Sequence, residues 1–86
     1  MPRVILTGSI RQHVGGLGAI EVDGRTAAAV VNALEAAYPP LRGWVVDERG
    51  KLRQHVRLFL HGSAVGLDAA LGHEDELHIV AAISGG

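Results

Sequence analysis

Residues 19–40 read AIEVDGRTAAAVVNALEAAYPP, and their hydrophobic period changes halfway. From Ala19 to Gly24 apolar and polar residues alternate, and the run closes on Asp23-Gly24. That pattern is a strand followed by a turn. From Ala27 the larger apolar residues stand at Ala27, Val30, Val31, Leu34 and Tyr38. Such offsets line one face of a helix. Thr26 precedes it, and a threonine hydroxyl at that position accepts an otherwise orphaned backbone N–H. Pro39 and Pro40 stop it, because proline brings no N–H donor and clashes with the preceding turn. Asn32, Glu35 and Ala36 fall on the opposite face and are expected to see water.

Working outward, RVILTG (3–8) begins β-branched and closes on glycine, which predicts a strand. SIRQHVGGLG (9–18) carries three glycines and reads as a loop. The strands on either side of it are close enough in sequence to form a hairpin. Beyond the helix, LRGWVVDERGKLRQ (41–54) is irregular, with Trp44 to Val46 a candidate short strand and DERGK (47–51) a turn around Gly50. HVRLFLHG (55–62) is the clearest strand, with Val56, Leu58 and Leu60 on one face and Arg57, Phe59 and His61 on the other. LGHEDELHIVAAI (71–83) gives an acidic turn and a last strand from about Leu77 to Ala82. Here Leu77, Ile79 and Ala81 share one face, and His78, Val80 and Ala82 the other. One helix covers only one face of a small sheet, so the order strand, strand, helix, strand or strands, strand predicts an α+β fold. If that helix covers Leu58 and Ile79, then Phe59 and Val80 point outward with Ile5 and Thr7, an exposed apolar group of the kind that marks docking surfaces.

The chain has 86 residues, enough for one domain with a small core. Function is expected on the surface or at a terminus, since there is little room for a deep cavity. The composition is 48% hydrophobic and 20% charged, which is globular rather than disordered. A net charge of −1 and the lack of a long basic run argue against a nucleic-acid binder. There is no cysteine, which removes disulfides, thiolate catalysis and thiolate metal sites together. No stretch approaches the ~20 apolar residues of a membrane span, and none reads as a signal peptide, so the expectation is a cytoplasmic protein.

Most motifs that could carry chemistry fail on inspection. GGLG (15–18) has no following Lys-Ser/Thr and opens no helix, so it is not a phosphate loop. His13, His55, His61, His73 and His78 are scattered, with no pair spaced i, i+4 on a helix, and no metal site is expected. HEDE (73–76) reads as a solvated turn. Ser9, Ser63 and Ser84 have no identifiable base nearby in sequence.

The end of the chain, ELHIVAAISGG (76–86), is different when taken with the rest. IRQHVGG (10–16), EVDGRTAAAVVNALEAAYPPLR (21–42), DERGKLRQHVRLFLHG (47–62) and EDELHIVAAISGG (74–86), in this order, give the chain a pattern from Val4 to Gly86. That pattern resembles the ubiquitin-like β-grasp sulfur carriers, the type of the molybdopterin synthase small subunit and of the carriers in thiamine and cysteine biosynthesis. It departs from them in three segments. Relatives often have a proline in the segment matching VAAISGG and an Asp-Gly-Asp-Glu turn where this chain has GHEDE (72–76), and many have an aromatic residue where Thr7 stands.

The resemblance implies a single β-grasp domain over 1–86, a mixed sheet of four to five strands with one main helix packed on one face, and a flexible tail over 82–86. It implies that the Gly86 carboxylate is the reactive group; an α-carboxyl titrates at about 3.3–3.7 and is ionised at neutral pH. A separate, ubiquitin-activating-like enzyme would consume ATP to adenylate it, and sulfide or a persulfide would displace AMP to leave a thiocarboxylate. An acceptor synthase would then take the sulfur. Gly85 and Ser84 would serve access of the tail, glycine having no Cβ to obstruct a channel. Thr7, Phe59, Ala64 and Val80 fall on the partner-contacting face. By this likeness the protein is a carrier and not an enzyme, binds no cofactor or metal, and works without nucleic acid or membrane. Two other functions share the activation step or the fold: a ubiquitin-like modifier joined through Gly86 to lysines, and an interaction module with an inert tail.

Overall fold

The computed structural model describes residues 1–81. The five strands are β1 (Arg3–Thr7), β2 (Ala19–Glu21), β3 (Val56–Leu60), β4 (Ser63–Val65) and β5 (Glu76–Ala81), and the helix α1 spans Ala27–Ala37. They form one sheet in the order β2-β1-β5-β3-β4. β5 is the central strand, parallel to β1 and antiparallel to β3, and the outer pairs β1–β2 and β3–β4 are antiparallel.

The period-2 pattern decides which residues face inward. Val4 and Leu6 of β1, Val56, Leu58 and Leu60 of β3, and Leu77 and Ile79 of β5 are buried. They pack with Ala27, Val30, Val31 and Leu34 of α1 in one apolar cluster. α1 starts where the sequence places it, since Thr26 Oγ1 accepts the Ala29 N–H at 3.1 Å. The remaining donors of its first turn are also used. The Ala27 and Ala28 N–H groups donate to the carbonyls of Ala69 and Leu67 in the β4–β5 connection. No orphan donor is left there for an anion. Leu41, in the 3-10 turn Pro39–Leu41 that follows α1, and Val45 close the far side of the core.

Gly24 sets how closely the helix enters. Its φ is +153°, and a Cβ built on it would stand 2.8 Å from both the backbone N and Cγ2 of the fully buried Val30. Neither can yield without moving α1. Gly24→Ala is therefore expected to cost about 2 kcal/mol or more through overpacking and backbone strain. That corresponds to a Tm roughly 10 °C lower, read by thermal denaturation.

Four segments depart from the sequence reading. Residues 8–14, expected as loop, form a 3-10 helix, Gly8–Val14, that buries Ile10 and Val14 four residues apart. The glycines bracket it rather than dissolve it: Gly8 and Gly15 have φ of +67° and +70°. Trp44–Val46 is not a strand, because only a single bridge, Val46 to Leu52, forms there. The turn beneath it is held by Asp47, whose Oδ1 accepts the Arg49 and Lys51 N–H groups at 2.9 and 3.0 Å. Those bonds, Lys51's first, hold the Asp47 carboxyl below its usual range. β4 was not anticipated. It follows β3 across a two-residue turn, His61 (φ 54°) and Gly62 (φ 81°). Both residues in the left-handed region make the turn whose twist matches a hairpin.

The fourth departure is Glu35, which is half-buried rather than facing water, with Oε2 covered and unpartnered. Burial raises its pKa, opposed by the charge of Arg42. A carboxyl whose folded pKa lies above its unfolded one stabilises fully below the unfolded pKa, and that contribution is lost as pH rises through the folded value. Glu35→Gln removes the ionised form. It is expected to raise Tm by about 1–3 °C at pH 7 and to leave it unchanged well below pH 4, as parallel melts at the two pH values would read.

Candidate functional site

The face of the sheet turned away from α1 is organised in three rows by the strand register. Nearest the end of β5 lie Thr7, Val80 and Arg57, paired in that order across β1, β5 and β3. The middle row is Ala19, Ile5, His78, Phe59 and Ala64. The far row is Glu21, Arg3 and Glu76.

These rows differ in chemistry. The far row is acidic on balance: Arg3 lies between two carboxylates, 3.6 Å from Glu76 and 4.0 Å from Glu21. Glu74 and Asp75 continue the negative charge into the adjoining turn, where Asp75 Oδ2 accepts the Gly72 N–H at 2.7 Å and Oδ1 stands 3.2 Å from His61 Nε2. The middle row is apolar apart from His78, which stands 3.7 Å from Glu76. The near row carries one charge, the exposed Arg57, whose Nη1 donates to the carbonyls of Gln54 and Val56 at 2.7 and 3.0 Å.

All four residues proposed for docking from sequence lie on this face. Thr7 and Val80 are cross-strand partners, as are Phe59 and Ala64. Phe59 and Val80 are half-buried, and Thr7 and Ala64 are exposed. The structure interposes two residues that the sequence reading did not select. His78 pairs with Phe59, and Arg57 pairs with Val80. The signal for both was available, since each shares the outward parity of its strand. Ser84, Gly85 and Gly86, the residues of the expected tail and reactive end, lie outside the described residues. β5 ends at Ala81, whose carbonyl oxygen faces Gly8 at the start of the 3-10 helix.

Among the described residues no group of three or more His, Asp or Glu side chains is placed to hold a metal ion. None of their helices is long and apolar enough to cross a membrane. The face can offer an apolar contact graded from acidic to basic.

No curated protein matches the chain in sequence. Solved structures match it over its length. A chain of the crystal structure of the Amycolatopsis orientalis BexX/CysO complex superposes with a TM-score of 0.89 at 26% identity, covering 100% of both chains. Mycobacterium tuberculosis CysO gives 0.86 at 28%, covering 96% of this chain and 100% of that one. SAMP1 from Haloferax volcanii gives 0.83 at 29%, covering 99% and 98%. The five-stranded mixed sheet with its helix on one face is thus the ubiquitin-like β-grasp architecture. The ThiS family model matches residues 4–86, from the first buried residue of β1 through the final glycine pair, and the chain belongs to that family.

Proposed function

We propose that this chain is a sulfur carrier. A separate ATP-dependent enzyme adenylates the Gly86 carboxylate, and a sulfur nucleophile converts the acyl-adenylate into a thiocarboxylate. The observation that carries this reading is the family match through Gly86, and the outer sheet face, with Thr7 and Val80 paired near the end of β5, supports it. The likeness to a CysO solved as a complex with BexX supports the idea that the carrier is handed between proteins.

The chemistry needs little from the carrier itself. The carboxylate oxygen attacks the α-phosphate of ATP and pyrophosphate leaves. Sulfide then displaces AMP from the activated carbonyl and leaves the thiocarboxylate directly; a persulfide displaces AMP to give an acyl disulfide, from which attack by a thiol releases the thiocarboxylate and forms a second disulfide. Activation lies in the leaving group, so the carrier requires no catalytic side chain, and the binding and catalytic groups belong to the partners. The acceptor is a biosynthetic intermediate bound by a synthase. Phe59, Val80, Thr7 and Ala64 supply the docking contact, and their modest size suits a transient complex.

Incubation with ATP, an adenylating enzyme that thiolates a CysO-type carrier, and a sulfide source tests this. Intact mass should show one oxygen exchanged for one sulfur at the C-terminal residue. An unchanged mass, with the control carrier thiolated in the same tube, would overturn the reading.

A second reading has its own support. The fold and 26% identity shared with the Haloferax volcanii small archaeal modifier protein 1 over 95% of this chain favour a protein modifier joined through Gly86 to lysines. The same activated carbonyl serves both reactions, and only the attacking group differs. Recovery of isopeptide-linked adducts from cells, without thiocarboxylate, would favour the modifier.

A further inference from the structure

The end of the sheet where β5 finishes carries a feature that the outer face does not include. β3 starts there: Val56 is the cross-strand partner of Ala81, and His55 directly precedes it. His55 lines a recess of about 280 Å3 with Gly43, Trp44 and Arg53. Trp44 is 47% exposed, an unusual cost for the chain's single tryptophan. Its ring is held in place, because His13 of the 3-10 helix stacks on it at a centroid distance of 4.3 Å with the planes 26° apart. Arg53 is fixed too. Its Nε donates to the Gly43 carbonyl at 2.8 Å, and its backbone N–H to that of Val45 at 2.9 Å. No carboxylate lines the recess. Asp47 and Glu48 line the adjoining cavity, which shares Gly43 and Arg53 with the recess, and the charge of Arg53 acts on Asp47 from that side.

A pre-ordered tryptophan beside a positioned arginine is the composition of an interface anchor. An arginine in a recess that no carboxylate lines favours an acidic partner segment. The covalent chain identifies the partner, on the sulfur-carrier reading. Gly86 is five residues beyond Ala81, and five extended residues span at most about 18 Å. An enzyme that adenylates Gly86 brings its catalytic site within that reach of Ala81, and so approaches the end of the sheet where Val56 pairs with Ala81 and His55 precedes it. The charge gradient of the outer face adds direction, since Glu21, Glu74, Asp75 and Glu76 repel an acidic segment from the opposite end.

We infer that the recess formed by Trp44, Arg53 and His55 is a second docking surface for the activating enzyme and receives a carboxylate-bearing segment of it.

Steady-state thiolation of wild type, Trp44→Ala, Arg53→Glu and Arg53→Gln by an adenylating enzyme that accepts the wild type tests this. Arg53→Glu should raise KM about tenfold at low salt, with kcat within about twofold, because steering acts on encounter and not on chemistry. The effect should shrink to about threefold or less near 0.5 M salt, where the screening length approaches 4 Å. Arg53→Gln should fall between, and Trp44→Ala should raise KM severalfold at every salt concentration. A merely structural role for Arg53 would lower Tm and leave the salt dependence of KM untouched. A thiolated wild type with all three variants at its KM would overturn this inference alone. A wild type that is not thiolated would overturn the carrier reading, and with it the occupant named for the recess.

Discussion

A chain lacking Gly86, or carrying one alanine after it, should accept no sulfur while melting at the wild-type temperature. The two variants fail for one geometric reason. Each displaces the carboxylate along the tail by about one residue, roughly 3.5 Å. In-line attack on a phosphate needs the reacting atoms about 3–3.5 Å apart, and a misplacement of only 1 Å can cost on the order of a hundredfold. A loss beyond about a hundredfold is therefore expected for both, read by intact mass after incubation with ATP, activating enzyme and sulfide. Stability is expected to hold because Gly86 has no side chain to bury, and the buried cluster of the described residues is built between Val4 and Ile79. A Tm several degrees lower in the shortened chain would assign the tail to the fold instead. Full thiolation of either variant would remove Gly86 as the reactive end.

Much of this fold was legible because its period-2 and period-3.6 patterns do not overlap. The alternation in β3 and β5 assigned Leu58 and Ile79 to the core and Phe59 and Val80 to the outer face, as the register has them. The cap at Thr26 and the stop at Pro39 set the helix within a residue or two. What escaped was local structure held by tertiary contact. β4 has only three residues, Ser63–Val65, too few to show a period, and exists because β3 turns back on itself through His61 and Gly62. The 3-10 helix hid behind flanking glycines, and its two buried residues, Ile10 and Val14, stand four apart rather than at the three-residue repeat of such a turn. Trp44 looked like strand because it precedes two valines, yet only Val45 is drawn into the core and Trp44 is left outside on His13. The candidate site divides the same way. Parity along single strands put Arg57 beside Phe59 and His78 beside Val80 on the outer face, but only the cross-strand register shows that His78 pairs with Phe59 and Arg57 with Val80. The lining of the recess around Trp44 falls within residues 43–55, but the ring stacked on Trp44 comes from His13, far upstream in the chain.

Phe59→Asp should raise the KM of the activating enzyme about a hundredfold while leaving kcat within about twofold at saturation. Phe59 is the largest side chain of the middle row and stands between His78 and Ala64. Removing an apolar anchor of this size from a contact forfeits roughly 1.5–3 kcal/mol of burial, and the new carboxylate must shed water against an apolar surface besides. About 2.8 kcal/mol is a hundredfold in affinity. The free domain should suffer far less, because Phe59 is only half-buried and its replacement keeps access to solvent. A loss of about 1 kcal/mol is the scale for a strand position of this kind. Val80→Asp makes the comparison informative. Its cross-strand partner is Arg57, so the introduced carboxylate gains an opposite charge, and the KM should rise only about tenfold. If the two variants weaken docking equally, the contact depends on net charge and not on an apolar anchor at Phe59. If Phe59→Asp is thiolated with the wild-type KM, the outer face is not what the enzyme grips, and the recess at Trp44 and Arg53 must hold the carrier by itself.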